Sequence, residues 1–82
     1  MSWNYRIFKS YYPGIEDEHC LDIREVYYFE DGTISSWTKE GVSAFGDTLE
    51  ELRDDLWMML RAFEFPTLDE KELEAEIKQE EH

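Results

Sequence analysis

One cysteine, two prolines, four glycines and eight basic residues are all that this 82-residue chain has of those types, and each scarcity excludes something. With Cys20 alone, no disulfide closes within the chain and no cysteine metal cluster assembles, which fits a reducing compartment such as the cytoplasm. Gly14, Gly32, Gly41 and Gly46 stand apart, each at a turn, and none belongs to a phosphate-cradling loop. No run approaches the roughly 18 apolar residues of a membrane span, and the opening Met1-Ser2-Trp3-Asn4-Tyr5-Arg6 lacks the apolar stretch of a secretory leader. The eight bases face 21 acids, for a net charge of -13. Residues 1–45 hold eight acids against four bases and residues 46–82 thirteen against four, or -4 and -9. Such a balance repels phosphate backbones and anionic membranes, so no direct nucleic-acid binding and no membrane association are expected.

What is abundant is aromatic. Three Trp, five Tyr and five Phe sit among 41% hydrophobic residues, too apolar a composition for a disordered chain despite its charge. The length suits one domain with one modest core.

Trp3, Tyr5 and Ile7 alternate with Asn4, Arg6 and Phe8, the period of a strand with one buried face. Pro13-Gly14 and the acids Glu16, Asp17 and Glu18 read as a turn and solvated loop leading to an antiparallel partner. From Cys20 to Phe29 the chain is strand-like, with Leu21 and Ile23 in one phase and Val26 and Tyr28 in the other, so a bulge is expected near Arg24-Glu25. Asp31-Gly32 predicts a tight type I′ hairpin into a third strand through Thr33, Ile34 and Trp37. Thr48 and Glu51 form a capping box that starts a helix, whose apolar residues Leu49, Leu52, Leu56, Met59, Leu60 and Phe63 share a face expected to cover the sheet. Pro66 ends it near Glu64 or Phe65. Leu73 and Ile77 are the apolar pair of a short, fraying helix beyond. The expected fold is α+β: a three-stranded antiparallel sheet with one main helix on one face in residues 1–66, then an acidic C-terminal tail, weakly helical, in 67–82.

Trp3-Asn4-Tyr5-Arg6, Glu25-Val26-Tyr27-Tyr28, Asp31-Gly32 and the run Gly46-Asp47-Thr48-Leu49-Glu50-Glu51-Leu52 resemble a family of short uncharacterised bacterial proteins, over about residues 3 to 69. The resemblance implies a bacterial source and no activity. More loosely, three strands leading through Gly46 to Glu51 into a helix resemble the HicB-like antitoxin domain, which implies an inhibitor of a basic protein.

His19 beside Glu16, Asp17, Glu18 and Cys20 gathers an imidazole, a thiol and carboxylates, but three or four ligands must converge on one point to hold a transition metal, and His82 is the sole other imidazole. Neighbours along a strand point to opposite faces, which separates Cys20 from His19 as a nucleophile and base. No catalytic residue, metal ligand or cofactor is therefore assigned, and a non-enzymatic protein is expected.

Two surfaces remain. Steps of 100° place Glu50, Glu51, Asp54 and Asp55 opposite the apolar helix face, with Met58 in their midst. Glu50 with Asp54, and Glu51 with Asp55, are like-charged i,i+4 pairs that cost a few tenths of a kcal/mol each. Helix stability alone does not call for them, so they form a candidate surface for a basic protein partner, with a solvated face as the plain reading. Tyr27, Tyr28 and Trp37 form a candidate sheet-face interface for self-association into a dimer, with ordinary strand packing as its counterpart. The expectation is a small acidic binding module that engages a protein partner, itself, or both; the alternative is an acidic nucleic-acid mimic or antitoxin-like inhibitor of a basic protein.

Overall fold

A computed structural model describes residues 2–12, 14–15 and 18–80, with the backbone alone at 77–80. The Pro13 turn residue, Glu16, Asp17, His82 and the Ile77 side chain lie outside what is described. The chain runs β1 (Ser2–Tyr11), β2 (His19–Tyr28), β3 (Ile34–Trp37), α1 (Leu49–Leu60), a 3₁₀ turn (Arg61–Glu64), β4 (Leu68–Asp69) and α2 (Glu70–Glu80). The fold is α+β with a helix against a sheet, but the sheet has four strands in the order β3-β2-β1-β4, and β4 runs parallel to β1. This corrects the expected three antiparallel strands. Two residues leave no alternation to detect, and Phe8↔Leu68 and Lys9↔Asp69 pair because the chain returns beside β1 after α1. Arg6 holds that return, its Nη2 donating to the Pro66 carbonyl at 2.8 Å.

β1 and β2 pair without interruption from Ser2↔Tyr28 to Tyr11↔His19, so the bulge expected at Arg24-Glu25 is absent. The phase change has another cause: both sheet faces are covered. Tyr5, Ile7 and Ile23 point to one face, where Met59 and Ala62 meet them. Phe8, Val26 and Tyr28 point to the other, where Leu73 of α2 packs with Trp37 and Leu68. Phe8 and Val26 have no exposed surface at all, so the deeper core lies under α2.

The ladder's irregularity falls instead between Tyr27 and Tyr28, opposite β3. The hairpin there is not type I′, since Asp31 lacks the positive φ that turn demands while Gly32 takes +90°. The Gly32 amide donates to the Phe29 carbonyl at 3.0 Å and Phe29 to the Thr33 carbonyl at 2.8 Å, which makes a longer loop closed by a left-handed glycine. Asp31 Oδ1 accepts from the Thr33 amide and hydroxyl, and these bonds hold its carboxyl below the usual range.

Thr48 caps α1 as the sequence predicts, its hydroxyl accepting from the Glu51 amide at 3.1 Å. Glu51 returns the favour one residue early, to the Asp47 amide at 2.9 Å. A Cβ at Gly46 would collide with the Leu52 amide nitrogen, so the approach to the helix requires glycine. α2 is capped by Asp69, whose Oδ1 accepts from the Lys71 amide at 2.9 Å. No helix among the described residues is long and apolar enough to cross a membrane.

Candidate functional site

α1 does not lie on the sheet as its apolar pattern prescribes. Met59 is buried and Leu52 and Asp55 are half-buried, whereas Leu49, Leu56, Leu60 and Phe63 are 87, 53, 56 and 69% exposed. On a helical wheel, the side facing the sheet is turned by roughly 50° from the centre of the apolar stripe toward the acids. The expectation that the whole apolar face covers the sheet is thereby corrected.

The turn has a polar cause. Tyr5, buried on β1, donates its hydroxyl to Asp55 Oδ1 at 2.6 Å, and the Phe45 amide donates to Asp55 Oδ2 at 2.9 Å. Both carboxylate oxygens of Asp55 thus bind the sheet and the loop before α1, a charge-assisted pair of bonds that a rotated helix would lose. Burial, and then the Asp55 carboxylate, push the Tyr5 hydroxyl far above its ordinary 10.

This docking opens a cleft of about 630 Å³ beside the acidic side of α1. Tyr5 and Val42 form its floor, Trp3 and Phe45 stand as walls, and Glu25, Glu51 and Asp54 ring it. Trp3 meets Tyr5 edge to face with centroids 5.1 Å apart, and Phe45 is 73% exposed. The loop carrying Val42 is held to β2 by the Val42 amide, which donates to the Ile23 carbonyl at 2.9 Å. No basic residue lines the cleft. Among the described residues, the ion pairs are Arg24 with Asp22 and Glu70, and Arg61 with Glu64, so none reaches the cleft acids.

Of the surface foreseen on α1, Glu51, Asp54, Asp55 and Met58 line this cleft together, and Glu50 lies outside it. Asp55 acts there as a tether. Sequence reasoning missed Trp3, Tyr5, Glu25 and Phe45, because nothing in their spacing announces that β1, β2 and the loop after β3 meet α1. The sheet-face group divides. Tyr28 and Trp37 pack in the second core with Leu73, and Tyr28 donates to Asn4 Oδ1 at 2.7 Å. Tyr27 is half-buried on the opposite face, its hydroxyl donating to Glu25 at 3.2 Å. α2 therefore covers the sheet face that Tyr28 and Trp37 occupy.

His19 is exposed at the start of β2, and Cys20 Sγ lies 3.1 Å from Ser10 Oγ. Among the described residues, no three His, Cys, Asp or Glu side chains converge on a metal-sized point. Comparison with models of protein families, with curated proteins and with solved structures found no match for the chain.

Proposed function

We propose that this protein is a non-enzymatic binding module that receives a basic side chain of a protein partner in the cleft between α1 and the sheet. One observation carries the reading: two aromatic walls and four carboxylates without a basic residue share one concavity. Aromatic faces attract cations, and an arginine guanidinium combines a flat surface for Trp3 with donors for Glu51 and Asp54. The looser resemblance to an antitoxin domain is compatible with such a partner, a basic toxin being one example.

Quenching of tryptophan fluorescence by short arginine-rich peptides tests this, with uncharged peptides of equal length as controls. Binding should weaken with salt, and E51Q with D54N should lower affinity by about tenfold or more, the loss of one or two charge-assisted contacts. Equal binding by W3A and by the double variant would overturn the reading.

The alternative of an acidic nucleic-acid mimic draws on α2, where Glu72, Glu74 and Glu76 are exposed. Deleting residues 67–82 does not test it cleanly, because β4 and Leu73 are part of the core. Glutamine at positions 72, 74 and 76 removes the charge and leaves the packing. If that variant loses a basic partner while E51Q/D54N keeps it, the mimic reading is the better one.

A further inference from the structure

We propose that the uncovered apolar stripe of α1 is a self-association surface, on which a second copy of this chain packs its own α1 antiparallel about a two-fold axis near Leu56. The proposal does not rest on the cleft, which lies on the opposite flank of the helix.

Area supports it first. At about 200 Å² for a fully exposed large apolar side chain, Leu49, Leu56, Trp57, Leu60 and Phe63 together present about 650 Å², arranged around the exposed Arg53, which lies on the same side of the helix. That exceeds what an isolated small protein ordinarily leaves in one patch, and it approaches the ~800 Å² per partner of a stable interface. The stripe ends in a hollow of about 460 Å³ lined by Phe63, Val42, Ile7, Leu21, Asp22 and Ile23, at the edge of the sheet area that Met59 and Ala62 cover.

Charge decides the occupant. α1 has Glu50 and Glu51 in its first turn and no base in its last, and Arg61 follows immediately. A second copy laid antiparallel with Leu56 against the partner's Leu56 sets Leu49 against the partner's Phe63, at the mouth of the hollow. On the outer flank the same register brings Glu50 beside the partner's Arg61, twice by symmetry. The helix dipoles oppose. Within its own chain Arg61 has only an exposed contact to Glu64 at 3.9 Å among the described residues. Glu51, Asp54 and Asp55 lie away from the stripe, so each chain's acidic cluster stays outside the contact, and Arg53 is the charged side chain that the stripe itself contains.

Sedimentation equilibrium of the full chain at micromolar to millimolar concentration tests this. The expected mass is twice that of the chain. Leu56→Asp, at an exposed position outside both cores, should weaken association by about 30-fold or more while the circular dichroism is kept. E50R and R61E should each weaken it about fivefold, and E50R/R61E together should restore it. A wild-type chain that stays monomeric throughout, as it would if a different protein covers the stripe, overturns the proposal. So does a dimer indifferent to Leu56→Asp, or a double variant no tighter than either single one.

Discussion

Asp55 shows how one side chain sets the posture of an element. It bonds Tyr5 and Phe45 with both oxygens, so replacing it leaves a buried phenol and a loop amide without an acceptor. D55A should cost about 1–3 kcal/mol in urea unfolding, and Y5F less, since Y5F removes the donor together with its need. Arg24 is the second such residue. Buried against Phe8, it reaches Asp22 at 2.9 Å and Glu70 at 2.7 Å. Burial alone would lower its affinity for the proton, but Asp22 and Glu70 outweigh burial and hold it above the ordinary value. R24A leaves two half-buried carboxylates unpaired, and a loss of about 3 kcal/mol is expected.

Tyr11 and Asp69 supply a pH signature at the same scale. The Tyr11 hydroxyl donates to Asp69 Oδ2 at 2.6 Å, and that bond, then burial, push it up to about 12. The same bond holds the Asp69 carboxyl below its ordinary 3.8. A raised tyrosine contributes its full stability below its unfolded value near 10 and loses it as pH climbs through about 12; a lowered aspartate loses its share as pH falls below about 4. Y11F should therefore flatten both edges of the Tm-versus-pH curve, and tyrosinate absorbance should lose its phase near pH 12 while the later phase of Tyr5 is kept.

Among the elements, α2 has the largest gap between its local signal and its role. Its sequence promises little helix by itself, yet Leu73 closes the core around Phe8 and Val26, Asp69 caps its start, and Glu70 pairs with Arg24. L73A should cost about 2–4 kcal/mol. Amide exchange read across the variant should show faster opening of β1 and β2 as well as of α2, because the deeper core lies between them. The turn into α1 is equally constrained: G46A meets the Leu52 amide and should destabilise by more than the usual gain from removing a glycine.

At the scale of the whole molecule, two helices cover two faces of a sheet, one well and one partly. The partial cover creates both surfaces with functional promise: an acidic aromatic cleft on one flank of α1 and an apolar stripe on the other. A chain that associates through that stripe gains stability by mass action, so its Tm should rise with protein concentration, and Leu56→Asp should abolish the dependence.

The sequence by itself determined much of this protein. Alternation in residues 3–8 is read as β1, Asp31-Gly32 as a reversal, Thr48 with Glu51 as the start of α1, and Pro66 as the limit of the helical run, because each is a short-range rule of backbone and cap chemistry; that the α-helix itself stops at Leu60 and gives way to a 3₁₀ turn over Arg61–Glu64 was not legible there. The identity of Glu51, Asp54 and Met58 as neighbours on one helix side was legible for the same reason. Tertiary structure alone decided what those sides face. Asp55 and Leu56 are adjacent in sequence, and the wheel assigns the first to water and the second to the core, yet two hydrogen bonds to distant residues turn the helix and reverse them. Leu68–Asp69 became a strand, and Tyr28 and Trp37 became core, for a similar reason. Pairing with β1 and cover by α2 are contacts across some 40 to 60 residues, and no local pattern records a partner so far away.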